Sequence, residues 1–453
     1  MGVGREQLAV SPARACAFAV VRRVFEHGAY TDRAFASEAR ALSARDRALA
    51  MALAYGTVQR RATLDFVAAR LGTRPPAALD PPILAALRLG LFQLLLLGGV
   101  ADHAAVNESV ELAKHGGRGG AGLVNAVLRR AAREGHALLQ TLDDATPDGA
   151  ATLHSVPVWL ARRWFDELGA AEARALLAHA NLAAESALRV NTLVAAPDQV
   201  RSRLPAGARE AAGLPEAIVI DAPFDAQASE LWAQGAIMPQ SRGSMLVSRV
   251  LAPAPGERVL DLCAAPGGKT THLAALMAGT GELVAVERHP GRARALVRTC
   301  ARMRAAHVQV QVGDAAQPPV AGTFDKVLVD PPCSGLGTMQ SRPDIRWHAS
   351  PESIAQLSAL QAKVLAAGAA VTAPGGVLVY SVCTISRAEG QDVIDRFLDE
   401  HPDWSADDLG RASAWLGQRH CSPCLQLLGH RDGTDGFFIS RLRRGLPGTR
   451  PVP

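Results

Sequence analysis

The sequence predicts a multidomain chain: an all-α N-terminal domain, a small α/β subdomain and a C-terminal α/β, Rossmann-like domain. Three observations predict it. Residues 1–140 repeat apolar side chains at spacings of three and four, with no convincing strand alternation. Residues 141–235 are punctuated by Pro147, Pro157, Pro197, Pro205, Pro215 and Pro223 around short strand-like runs. From 236 onward, near-continuous apolar strands alternate with helices, the pattern of a parallel sheet covered on both faces. A length of 453 residues suits several domains. With 48% hydrophobic and 20% charged residues, the chain can bury real cores.

In the first domain, Ala15, Phe18, Val21 and Val24 mark one helix, and Leu49, Leu53 and Tyr55 another. Asp80 before Pro81 predicts a helix start with the aspartate as cap. The most apolar stretch, 83–100, is broken by Arg88 and Gln93 and reads as a buried helix, not a membrane span. Six or seven short helices fit residues 1–140. In the second part, 155–168 reads as a capped helix with paired Trp159 and Trp164, and 187–193 and 217–220 as strands. In the third part, 236–445, strands are expected at 258–262, 283–286, 308–312, 326–329 and 377–380. Residues 386–389 (SRAE) read as a capping box opening the helix of Val393, Ile394 and Phe397. Residues 436–439 read as an edge strand, and 446–453 as a tail.

The net charge of +5 is unevenly spread. Residues 1–140 hold 18 Lys+Arg against 11 Asp+Glu, and the remainder is slightly acidic. A basic N-terminal third fits a polyanionic partner. Seven scattered cysteines argue for a reducing compartment and against a disulfide framework. The N-terminus lacks a basic, apolar, small-residue cleavage pattern. A cytoplasmic protein is therefore expected, without membrane attachment. Cys421 and Cys424 form a lone CxxC beside His420, with no second pair at zinc spacing, so no metal is expected.

The chemistry-bearing residues fall at the C-terminal ends of the predicted strands, where open α/β sheets bind ligands. After Asp261 comes the turn Cys263, Ala264, Ala265, Pro266, Gly267, Gly268, Lys269. Its small residues let a ligand approach the backbone, but it matches neither the P-loop nor GxGxxG. Glu287 ends the next strand, where an acid can accept both hydroxyl hydrogens of a ribose. Asp314 ends the third, where a carboxylate can accept from an adenine amine. A nucleoside held without a phosphate-grasping motif fits S-adenosylmethionine better than NAD or ATP.

The fourth strand ends in Asp330-Pro331-Pro332-Cys333, whose prolines fix the backbone, and the fifth leads to Cys383. Two cysteines at neighbouring strand ends suggest a reaction that needs thiols. C5 of a pyrimidine is a poor nucleophile toward a methyl sulfonium. Addition of a thiolate to C6 makes C5 enamine-like, so that it can accept the methyl group. The thiol that adds must be deprotonated, which favours a lowered pKa, and the target base must leave its stack. Two other readings are open. Amino methylation would want an aromatic where Cys333 stands, and an RNA-binding factor with a relic catalytic domain would not bind the cofactor.

DLCAAPGGKT (261–270), DPPCSGLGT (330–338), RPDIRW (342–347), LRVNTL (188–193) and DGFF (435–438) resemble the RNA cytosine-C5 methyltransferase family of the NOP/Sun type. NESVELAK (107–114) and VNAVLR (124–129) resemble the NusB-type RNA-binding domain. The resemblance implies an RNA-binding helical domain at 1–140, an RNA-binding subdomain at 141–235 and a methyltransferase domain at 236–445. It implies a monomer that methylates C5 of a cytidine in 16S ribosomal RNA, free or in a partly assembled small subunit. Cys263 to Lys269, Glu287, Asp314 and Asp330 would bind S-adenosylmethionine, with Asp330 also near the base. Cys383 would be the nucleophile at C6, and Cys333 would help release the product, as base for the C5 proton. Spacing alone does not assign the two roles. The sequence departs from the family pattern in two places: Val382 replaces the usual Thr, and Glu389-Gly390-Gln391 replaces Glu-Asn-Glu. Both departures are expected to weaken activity without removing a reacting group.

Overall fold

The computed structural model describes residues 10–116, 119–409 and 423–446. The chain forms two compact units, one of Met1–Leu182 with Met339–His348, the other of Ala183–Thr338 with Ala349–Pro453. Among the described residues, no helix is long and apolar enough to cross a membrane.

The first unit is helical, as its apolar spacing requires. Seven α-helices run between Pro12 and Leu139. The apolar helix Pro81–Leu95 lies at their centre, with Leu87, Leu89 and Leu91 fully buried. Its polar residues are paired: Arg88 donates to both oxygens of Asp65 (2.7 and 2.8 Å), and Gln93 accepts from Arg14 at 2.6 Å. Asp80 stands at the cap position but its side chain makes no capping bond. Pro82 lacks one of the two N–H groups that a cap side chain reaches.

Three more helices, Pro147–His154, Val158–Leu168 and Ala170–His179, belong to this unit rather than to the sheet that follows. Ser155 does not cap a helix start. It ends the preceding helix in the left-handed region (φ 59°), and its hydroxyl accepts from the Ala62 N–H. Trp164 is buried, while Trp159 lies under the Arg163 guanidinium. Arg346 is fully buried in this unit, donating to the carbonyls of Ala180 and Ser155 and to Asn181 Oδ1 at 3.0–3.1 Å. Burial pulls its guanidinium down to about 9.

The second unit contains two sheets. The small one is antiparallel, in the order β2 (Ala208–Ala211), β3 (Leu214–Ile220), β1 (Ala187–Val190), β4 (Ile237–Pro239). The expected strands at 187–193 and 217–220 are β1 and part of β3. β2 was not foreseen, and β4 carries the sheet past residue 235.

The large sheet runs β10 (Trp404–Ala406), β12 (Phe437–Arg444), β9 (Thr372–Val382), β8 (Phe324–Val329), β5 (Arg258–Asp261), β6 (Glu282–Glu287), β7 (Val308–Val312). β5 to β9 pair in parallel, and the apolar residues of β5, β6, β8 and β9 face buried clusters on both sides, as a doubly covered sheet demands, while β7 at the edge is only partly covered. The five strands expected between 258 and 380 are all present. β12 is not an edge strand: it pairs antiparallel with β9, β10 and β11 (Leu425–Leu427). Cys421 and the tail beyond 446 lie outside the described residues. Cys424 is buried.

Candidate active site

The order reversal at β5, with β6 on one side and β8 on the other, opens a crevice at the C-terminal strand ends. The predicted residues gather there in two groups joined by Asp330.

The cofactor-side group begins with the turn after β5. Gly267 adopts φ +105° and packs so closely that a Cβ would stand 2.8 Å from Leu296. Only glycine gives this path into the helix Gly268–Leu276. Asp261 is buried and accepts from the Thr270 hydroxyl at 2.7 Å. Burial pushes its carboxyl up to about 6, against the pull of the Thr270 bond. Lys269 Nζ lies 2.8 Å from Asp330 and 5.2 Å from the centre of the Phe437 ring. Burial disfavours the Lys269 ammonium, but the Asp330 charge prevails and raises its pKa. Ser381 donates to the other Asp330 oxygen at 2.8 Å.

Glu287 is buried at the end of β6, with one oxygen accepting from the His289 N–H at 2.8 Å and the other facing Arg292 at 3.6 Å. Arg292 also donates to the Ala265 carbonyl at 2.6 Å, tying the two strand ends together. Asp314 is more exposed. It accepts from the Ala316 N–H and bonds none of the other predicted site residues. Burial pushes the Cys263 thiol well above its ordinary range, consistent with a packing role.

The thiol-side group is built from three interlocked loops. Cys333 Sγ and Cys383 Sγ are 3.3 Å apart, and both residues are partly exposed. The Gly337 N–H donates to the Cys383 carbonyl (3.1 Å), and the Gly436 N–H donates to the Gly337 carbonyl (2.8 Å). A Cβ on Gly337 would meet the Gly436 oxygen at 2.0 Å, so backbone packs directly on backbone. This contact accounts for Gly337 in GLGT and Gly436 in DGFF. The hydrogen bond with Cys383, then burial, push the Cys333 thiol well above its ordinary range, so Cys333 keeps its proton at neutral pH.

Residues the sequence reading passed over support both groups. Arg189 on β1 is fully buried, its charge pulled down to about 9 by burial. It donates to Gln240 Oε1 (2.7 Å), Thr271 Oγ1 (2.7 Å) and the Gly268 carbonyl (3.2 Å), holding the cofactor turn from behind. Its one signal was a charge inside an apolar strand. Glu216 on β3 accepts from His272 at 2.8 Å and from Arg249. Glu389 is not a capping-box acid. Ser386 makes no side-chain cap, 387–389 form a 3₁₀ turn, and Gly390 (φ −110°, ψ −97°) breaks the path before the helix Gln391–Glu400. The Glu389 carboxylate instead turns inward to Ser334.

The two departures from the family pattern fall away from the sulfurs' direct contacts. Val382 is fully buried in the apolar cluster behind the sheet, and Gln391 pairs with Asp395 on an exposed helix face. Among the described residues, no group of three or more His, Cys, Asp or Glu is placed to hold a metal.

The fold and site define a methyltransferase joined to a helical domain of the NusB type. Three family profiles match in order: "NusB family" at 11–133, "RsmF/B-like, ferredoxin-like domain" at 156–227, and "16S rRNA methyltransferase RsmB/F" at 248–443. A probable ribosomal RNA small subunit methyltransferase B of Synechocystis is 36% identical over 95% of this chain and 99% of its own length. The ribosomal RNA small subunit methyltransferase B of Thermus thermophilus is 35% identical, over 88% of this chain and 89% of its own. The crystal structure of PH0851 superposes with a TM-score of 0.79 at 25% identity, covering 96% of this chain and all of that one. The chain therefore belongs to the ribosomal RNA small subunit methyltransferase B family, whose methyl donor is S-adenosylmethionine.

The site's donor set fits that molecule. Three carboxylates, Asp261, Asp330 and Glu287, stand at the glycine turn and the adjoining strand ends, acceptors of the kind that a cationic nucleoside derivative requires.

Proposed function

We propose that this enzyme methylates C5 of a cytidine in 16S ribosomal RNA through a covalent adduct with Cys383. The observation that carries the reading is the 3.3 Å contact between Cys383 and Cys333 beside a carboxylate–ammonium pair at the cofactor turn. S-adenosylmethionine supplies an electrophilic methyl group when bound, held by Cys263 to Lys269, Glu287, Asp314 and Asp330.

The protonated Cys333 donates toward the Cys383 sulfur, which favours a thiolate there. Cys383 adds to C6 of the extruded base, and the electron pair displaced to C5 bonds the incoming methyl group. C5 then carries both hydrogen and methyl. Bonding to C6 removes the Cys383 charge and hydrogen bond that held the proton on Cys333; that proton leaves to solvent, and the Cys333 thiolate accepts the C5 hydrogen as a proton. The released pair re-forms the C5–C6 double bond and expels Cys383 as thiolate. Asp330, fixed by Lys269 and Ser381, lies between the two groups and orients the ring.

Single-turnover methyl transfer to 16S RNA fragments tests this. Cys383→Ala is expected to lower the rate by at least about 10³-fold, and an unimpaired rate would refute the nucleophile assignment. Cys333→Ala is expected to transfer one methyl and then hold the RNA as a covalent adduct on denaturing gels. Clean multiple turnover by that variant would remove Cys333 from the release step.

A further inference from the structure

Glu389 is a buried acid with no described cation in salt-bridge range, a costly arrangement unless its oxygens are fully used. They are used on the two loops that carry the sulfurs. One oxygen accepts from the Ser334 N–H (2.8 Å) and from Gln361 Nε2 (3.1 Å). The other accepts from the Ser334 hydroxyl (2.6 Å) and, at 3.4 Å, from the Thr384 hydroxyl. Ser334 and Thr384 lie 2.8 Å from each other. Each directly follows a site cysteine, Cys333 and Cys383 respectively. Glu389 itself is fixed by the Tyr380 hydroxyl, which donates to its carbonyl at 2.6 Å.

We propose that Glu389 is a positioning residue that clamps the two cysteine loops together and so sets the sulfur-to-sulfur distance. It touches neither sulfur. Its carboxylate takes donors from both loops, and a neutral side chain of any shape cannot accept all four. Gly390 belongs to the same device: its unusual backbone turns Glu389 inward, and a Cβ there would meet the Phe438 ring at 2.8 Å. The inference builds on the paired-thiol reading, but its central test does not require it.

That test uses dibromobimane, a fluorogenic reagent that bridges two neighbouring thiols, on the full-length protein and on Glu389→Gln. Bridging of Cys333 to Cys383, located by peptide mapping, is expected to slow at least about 10-fold. Methyl transfer is expected to fall about 100-fold, the usual effect of misplacing a reacting group by an ångström. S-adenosylmethionine affinity by calorimetry and single-thiol labelling by monobromobimane are expected to stay within about twofold, because the cofactor turn is untouched. Ser334→Ala, which keeps the Ser334 N–H, Gln361 and Thr384 donors on the carboxylate, is expected to move bridging and transfer in the same direction by a smaller factor. It keeps the proposal testable if Glu389→Gln does not fold. Wild-type bridging in both variants would overturn the clamp. Slow bridging together with normal methyl transfer by Cys383→Ala would sustain the clamp and sink the nucleophile reading, so the two failures are distinguishable.

Discussion

The cofactor side and the thiol side of the site are held by different chemistry. On the cofactor side, charges face charges across strand ends, Lys269 with Asp330 and Arg292 with Glu287, while Arg189 holds neutral acceptors behind the turn. On the thiol side, backbone packs on backbone and hydroxyls bond one buried carboxylate. Ion pairs tolerate small displacements because Coulomb forces fall off slowly, whereas hydrogen bonds and close packing do not. The difference teaches that the cofactor side is built for affinity and the thiol side for geometry. Substitutions on the first should move KM for S-adenosylmethionine, and substitutions on the second should move kcat.

The strongest challenge to this division is Lys269→Met. It removes the cation facing Asp330 and leaves a half-buried carboxylate held by Ser381 alone. We expect kcat/KM to fall about 100-fold, mostly through KM for S-adenosylmethionine. A loss confined to kcat would break the comparison, since it would place Lys269 with the reacting groups. Glu287→Gln sharpens the division. It keeps the His289 contact but weakens the acceptor for a ribose hydroxyl, so KM should rise about 10-fold, the worth of one charge-assisted bond. Its kcat should stay within about twofold of wild type.

The smallest effect concerns the support beneath the cofactor helix. Burial pulls the His272 imidazole down to about 4, despite its bond to Glu216. An unfolded histidine takes up a proton near 6.5, while the folded one resists until about 4. Stability is therefore present above 6.5 and is lost as pH falls toward 4. At pH 5 the loss is about 2 kcal/mol, or roughly 5 °C in Tm. Melting curves of His272→Gln should show that part of the pH dependence flattened. An unchanged slope between pH 7.5 and 5 would assign the acid sensitivity to other groups.

The parallel strands and their terminal residues were legible because both are local. An apolar run ending in an acid or a cysteine reads the same in any context. What stayed hidden depends on partners far away in sequence. SRAE is the same string whether Glu389 caps a helix or turns inward, and only the Gly390 backbone and Ser334, 55 residues earlier, decide it. Arg189 carried a charge that made sense only once the Gly268 carbonyl, 79 residues later, was beside it. The C-terminal strand was seen, but its place was not, because strand order is set by long-range pairing.

That strand also imposes an order of events on synthesis. β12 is made last of the sheet, yet it lies inside it, and Gly436 at its mouth completes the backbone lock on Gly337. A chain of which only the first four hundred residues have been made therefore lacks the Gly436 side of that lock. That lock closes late, after the helical N-terminal domain has had most of translation in which to fold.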